Sequence, residues 1–140
     1  MVESTTNGKL ATSTCGDYNI VRTLGHGGNA VVKLVEKDGT RYAMKIMVFT
    51  GDEKEKANFI KSIQEKFDLV KDLNHKSIVK YHEFNDNTTW TKKSGEKIPC
   101  CYLLLELLEG VELLELMNVM GDVEDPFYRY IFIEIANSIH

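Results

Sequence analysis

The period of hydrophobic and polar positions changes several times along this chain, and each change marks an element. Residues 1–17 are rich in Ser, Thr, Gly and Asn with little periodicity, and read as a disordered lead-in. Residues 18–24 read as a first strand that runs into glycines. The valine-rich residues 30–36 form a second strand, and residues 41–49, nearly all apolar apart from Lys45, form a third. Asp38-Gly39 between the last two is a tight-hairpin signal, so the three strands are expected to lie antiparallel. Over residues 52–73 the period lengthens. Phe59, Ile60, Ile63, Phe67, Val70 and Leu73 fall at helical spacing with Lys, Glu and Asp between them.

Strand character resumes over 78–84. Residues 85–99 are polar, carry Asn85-Asp86-Asn87 and Ser94-Gly95, and read as a long hairpin loop. Residues 100–108 form a fifth strand with the apolar run Leu103-Leu104-Leu105, broken at Glu109-Gly110. A short helix is expected over 112–120. Asp125-Pro126 is a helix start, with proline in the first turn. The helix over 127–140 carries Phe127, Tyr130, Ile131, Phe132, Ile133, Ile135 and Ile139, apolar residues on nearly every side. Such a helix belongs inside a larger core, so the chain reads as cut short.

A length of 140 residues gives one domain with a real core. Hydrophobic content of 43% and charged content of 27% are those of an ordinary globular chain. A net charge of −4 gives no global attraction to nucleic acid or an anionic membrane, so neither is expected as a partner. No apolar run approaches the roughly 20 residues of a membrane span, and the N-terminus has no signal-peptide pattern. The 3 cysteines cannot all pair, Cys100 and Cys101 are adjacent, and no C-x-x-C spacing occurs. Reduced thiols in a cytoplasmic setting follow as the expectation.

The candidate chemistry lies in Leu24-Gly25-His26-Gly27-Gly28-Asn29-Ala30-Val31-Val32-Lys33, followed by Tyr42-Ala43-Met44-Lys45-Ile46. Glycines let a backbone approach phosphate oxygens with no Cβ in the way, and a strand-borne lysine supplies a point charge. Gly25-x-Gly27 alone is weak, and a glycine-rich hairpin with no ligand would look the same. A dinucleotide fold would pass from the glycines into a helix, whereas a strand follows here. The Gly-Lys-Ser/Thr that closes a Walker loop is absent.

Several motifs occur in one order: the glycine loop, Val32, Ala43-x-Lys45, a helix, Asn74-His75-x-x-Ile78-Val79, then Leu105-Glu106-Leu107-Leu108-Glu109-Gly110-x-Glu112-Leu113. Together they resemble the small lobe of the eukaryotic protein kinases, of the serine/threonine branch, with a hinge segment like that of calcium/calmodulin-dependent members. The resemblance runs from about Tyr18 to the chain end. It implies an α+β fold: a kinase N-lobe over 18–108, with a five-stranded antiparallel sheet and one helix. The hinge exit and first helices of an incomplete C-lobe would follow over 109–140.

The resemblance also implies roles. Gly25, Gly27 and Gly28 would form the flap over the triphosphate, with Ala30 standing where the family has its third glycine. Leu24, Val32 and Ala43 would sandwich adenine, and Leu105 would gate the back of the pocket. Glu106 and Leu108 would offer backbone groups to the adenine edge, and Glu112 would lie near the ribose. Lys45 would hold the α- and β-phosphates of ATP. Magnesium would be bound only in a complete domain, since the catalytic and metal-binding loops of the family are not among these residues.

The departure concerns the glutamate that pairs with that lysine. Counting back from His75 puts Lys66 at its position, with Glu65 one residue early. Lys66 lies about 60° from Ile63 around the helix, inside the apolar stripe, and Glu65 about 160° from it, toward water. Either a one-residue bulge restores Glu65 as the partner, or the ion pair is missing; the helical geometry favours a missing pair. His26 reads as an exposed turn residue, His75 as a cap after the helix, His82 as a half-exposed strand residue and Trp90 as cover for the sheet. Two function classes follow: the ATP-binding part of a protein serine/threonine kinase, inactive alone, and a pseudokinase-like module or non-functional kinase piece. In the second class a docking partner takes the place of a protein substrate.

Overall fold

A computed structural model of the chain describes residues 11–121 and 124–139. Among the described residues six strands and three helices follow one another: β1 (Thr14–Cys15), β2 (Tyr18–His26), β3 (Ala30–Lys37), β4 (Thr40–Met47), α1 (Glu53–Val70), β5 (Tyr81–Thr91), β6 (Lys97–Glu106), α2 (Leu113–Met120) and α3 (Asp125–Ile139). The strands pair in the order β1-β2-β3-β4-β6-β5 and close into a barrel. The architecture is the expected α+β lobe of strands with helices after them.

Side-chain parity explains why β4 and β6 look almost wholly apolar. Met44 faces Leu104 and Ile46 faces Tyr102 across the ladder. These four lie in the buried cluster with Cys15, Tyr18, Val35 and Cys100, which fills the barrel. The alternate residues project from the outer face, where Ala43 opposes Leu105, Lys45 opposes Leu103 and Met47 opposes Cys101. α1 covers part of that outer face. Phe67 meets Phe84 of β5 at 6.2 Å between ring centroids, and Phe59 meets Phe49 at 5.5 Å. Met47 and Cys101 are buried on the outer face as well, whereas Lys45 on the same face is exposed.

Local chemistry sets the joints. Asp38 and Gly39 both have positive φ, 50° and 78°, as a tight hairpin requires, and the residues flanking them, Lys37 and Thr40, oppose each other. α1 starts in a capping box: the Asp52 carboxylate accepts from the Glu55 backbone N–H at 2.8 Å, and the Glu55 carboxylate accepts from the Asp52 N–H at 3.3 Å.

Several expectations are corrected. Within the lead-in expected to be disordered over 1–17, Thr14–Cys15 is a strand clamped between β2 and β5, and Cys15 is 0% exposed. Ser13 donates to the Thr91 carbonyl at 2.9 Å and accepts from the Trp90 indole N–H at 3.3 Å. Two residues carry no period to read; long-range edges make them a strand. Residues 1–10 of that segment lie outside the described residues. β1 is also the sixth strand that joins the expected sheet's edges into a barrel.

The loop expected over 85–99 shrinks to the turn between Thr91 and Lys97, closed by the Lys92 N–H on the Glu96 carbonyl at 2.8 Å. The turn formers at 85–87 make an irregularity inside β5, where the Asn85 side chain accepts from the Asn87 N–H at 3.0 Å. Of the strand expected over 78–84, residues 78–80 precede β5, and α1 ends at Val70, before Leu73. α3 begins at Asp125, where Asp125-Pro126 marks the helix start, and His140 lies outside the described residues.

Candidate functional site

The glycine flap joins β2 to β3. The Gly27 N–H donates to the Ala30 carbonyl at 2.8 Å and closes the turn. A Cβ built on Gly25 or Gly28 would meet nothing within 4 Å, and neither residue has positive φ. The lobe's own packing therefore does not require glycine at these positions; glycine keeps the space beside the flap clear.

Beneath the flap, Val32 opposes both Gly25 and Lys45, and Lys45 opposes Leu103. Ala43 opposes Leu34 and Leu105 in the neighbouring row. Directly opposed residues project from one face of a sheet, so Val32, Ala43, Lys45, Leu103 and Leu105 share the outer face. A cleft of about 490 Å³ opens between this face and α1. Gly27, Gly28, Asn29 and Ala30 form its lip, Lys45, Met47, Leu103 and Tyr81 its sheet wall, and Phe59, Ile63, Lys66, Phe67 and Val70 its helix wall.

Of the residues singled out from sequence, Gly27, Gly28 and Lys45 thus line one cleft. Val32, Ala43 and Leu105 are half-buried on the same face without lining it, and Leu24, at the flap's base, is 37% exposed. Glu106 stands at the end of β6 with its N–H on the Lys80 carbonyl at 2.8 Å, while its carboxylate accepts from the Lys80 N–H at 3.1 Å. Leu108 is exposed past the strand, and Glu112 is the N-cap residue of α2. Neither reaches the cleft.

α1 gives Glu65 and Lys66 different surroundings. α1 runs without a break from Glu53 to Val70, so no bulge rotates Glu65 inward. Glu65 is exposed, with its carboxylate 4.0 Å from the Lys61 ammonium on the outer side. It does not pair with Lys45. Lys66 lines the cleft in its place. Among the described residues, Lys45 has no carboxylate within ion-pair distance.

Sequence reasoning missed Leu103, Met47 and Tyr81 as cleft residues. The parity of β6 against Lys45 is the signal for Leu103; no local signal exists for Tyr81, which arrives from another strand. The cleft lining contains no carboxylate, and among the described residues no three His, Cys, Asp or Glu side chains converge as metal ligands. That donor set does not fit a divalent cation.

Away from the cleft, Glu83 accepts from Tyr18 at 3.0 Å and from Tyr102 at 2.7 Å. Burial, then the hydrogen bond to Glu83, pushes the Tyr18 phenol up to about 12, and the same two causes raise Tyr102. Burial lowers the Lys33 ammonium, which lies over the Trp90 ring. Cys15, Cys100 and Cys101 are free thiols, with the first two sulfurs 3.7 Å apart inside the barrel. Among the described residues no helix is long and apolar enough to cross a membrane.

Comparison with known proteins agrees with this geometry. The model of the protein kinase domain matches residues 18–140. The serine/threonine-protein kinase cds1 of Schizosaccharomyces pombe is 30% identical over 115 residues, covering 77% of this chain and 22% of that protein. The serine/threonine-protein kinase ArnS of Sulfolobus acidocaldarius is 31% identical over 123 residues, covering 81% of this chain and 19% of that protein. A putative CBL-interacting protein kinase 27 of Oryza sativa subsp. japonica is 29% identical over 124 residues, covering 89% and 28%. The matched region spans from just under a fifth to just over a quarter of the length of these relatives. A glycine-flapped barrel, a strand lysine and a helix beside it, matched from Tyr18 onward, make this chain a member of the protein kinase family, with serine/threonine kinases as its relatives.

Proposed function

We propose that this chain is the ATP-binding part of a protein serine/threonine kinase domain. The observation that carries the reading is the convergence of Lys45 with Gly27 and Gly28 on one cleft, beside the apolar outer face of Val32, Ala43 and Leu105. On this reading Lys45 takes the α- and β-phosphates, and the flap's bare backbone covers them. Adenine lies against Leu24, Val32, Ala43 and Leu105, and its edge meets backbone groups at Glu106 and Leu108, with Glu112 toward the ribose. The complete family transfers the γ-phosphate to protein Ser or Thr. The 140 residues contain neither His-Arg-Asp nor Asp-Phe-Gly, and on its own this polypeptide is expected to bind nucleotide without transferring phosphate. A cytoplasmic setting suits a lobe whose three buried cysteines are free.

The test is thermal unfolding with and without millimolar ATP. A ligand that binds only the folded state raises the midpoint by mass action. ATP should raise it for the native chain and leave Lys45→Met unmoved, while the two melt together without nucleotide. A missing shift, or one that survives in Lys45→Met, refutes the reading.

A second reading, a pseudokinase-like module that works by docking a partner, is favoured by one observation: Lys66 lines the cleft where a carboxylate would clamp Lys45. A partner complex that persists in Lys45→Ala supports it. Dependence of that complex on nucleotide supports the first.

A further inference from the structure

Lys45 and Lys66 reach the same cleft from opposite walls, one from β4 and one from α1, under a lip of Gly27 and Gly28. Among the described residues neither lysine has a carboxylate within ion-pair distance. The register partners of Lys45 are Val32 and Leu103. The residues three and four positions from Lys66 are Ser62, Ile63, Leu69 and Val70, so the helix brings no acid alongside it. Elsewhere on the same helix Lys61 has Glu65 at 4.0 Å, and Lys71 at its C-cap has Asp68 at 3.0 Å. The rest of the cleft is apolar side chains and flap backbone, with Asn29 at the lip.

Two lysines that line one opening carry like charges, and a polyanion between them gains attraction from both. Each lysine is a flexible point charge that can settle on a phosphate oxygen without fixed geometry. The geometry points to a paired-cation site in which Lys45 and Lys66 together hold a polyphosphate chain as the metal-free anion. This rests on the reading that the cleft takes the phosphates of ATP, and goes beyond it by assigning Lys66 a phosphate-binding role and naming the charge form of the ligand. Where the family's carboxylate would hold Lys45 and magnesium would offset the phosphate charge, this chain supplies the second positive charge itself. A divalent cation on the ligand then competes with Lys66 for the same oxygens.

Isothermal titration of the 140-residue chain with inorganic tripolyphosphate and with ATP, each in EDTA and in excess Mg²⁺, tests this. Both ligands should bind in EDTA, and Mg²⁺ should weaken them. Loss of one ammonium–phosphate contact costs roughly tenfold, so Lys66→Met should weaken both ligands by about that factor and Lys66→Glu by more. Lys61→Met, on the outward side of α1, should change nothing and serves as the folding control. Binding of ATP that requires Mg²⁺, or that ignores Lys66→Met, overturns the paired site while leaving the ATP-binding reading standing. Tripolyphosphate binding that depends on Lys66, with ATP no tighter than tripolyphosphate, supports the paired site and refutes the adenine pocket. No binding of either ligand in EDTA refutes the paired site.

Discussion

The C-terminal helices are at least as apolar in sequence as the barrel strands, yet the two regions use their apolar residues differently. Inside the barrel Met44, Ile46, Tyr102 and Leu104 are almost wholly buried, because strand parity delivers alternate residues of facing strands to one interior. α2 and α3 have no buried residue, and Phe132 and Ile139 are 72% and 81% exposed. Polar contacts tie α3 to the segment before β5: Glu134 lies 3.3 Å from the Lys76 ammonium and accepts from the Ser77 hydroxyl at 3.4 Å. Apolar content therefore says little about stability; closure does. A barrel consumes its own apolar face, whereas a helix apolar on several sides cannot bury them all against one surface.

Truncation on the two sides should break this comparison most sharply. Met44→Ala, at 0% exposure, removes a fully enclosed side chain and should cost about 2–5 kcal/mol, while Phe132→Ala should stay within about 0.5 kcal/mol. Urea unfolding of the two variants measures both. Equal losses would mean that α3 is held as firmly as the barrel.

Alkali should attack the barrel through its tyrosines. Tyr18 holds its proton up to about 12 against an ordinary value of 10.0, so between those values the folded state keeps a proton that the unfolded state has lost. The stability this contributes is fully present below pH 10 and disappears as pH climbs through 12. Tyr102 acts in the same direction. Denaturant midpoints measured across that range should fall, and should fall less steeply in Tyr18→Phe.

The smallest expected effect lies at the joint between barrel and helix. Asp52→Ala removes the side-chain half of the capping box and should cost about 1 kcal/mol, with faster amide exchange confined to the first turn of α1. Exchange that rises along the whole helix would show that the cap, rather than packing of Phe59 and Phe67, holds α1 to the sheet.

The legible parts of the fold were those whose cause is local. Asp38-Gly39 announces its turn by backbone preference, and the stripe of Phe59, Ile63, Phe67 and Val70 announces both α1 and the side that meets the sheet. The same stripe placed Lys66 inward and Glu65 outward, and the unbroken helix puts them there. Thr14–Cys15 and the pairing of residues 88–91 with 97–100 were not legible. Two residues show no period, and Asn85-Asp86-Asn87 reads as a loop although the ladder accommodates it as an irregularity.

By itself the amino-acid sequence determined the order of elements from β2 onward, the glycine-rich turn, the strand lysine and the cation beside the apolar stripe of α1, because periodicity and turn chemistry depend only on neighbours along the chain. Tertiary structure alone decided that β1 closes the barrel, that Leu103 stands opposite Lys45 and that Tyr81 lines the same cleft. It also decided that two lysines from distant segments share one opening. Those outcomes depend on register and on which edges meet, and both are set by packing between residues far apart in sequence.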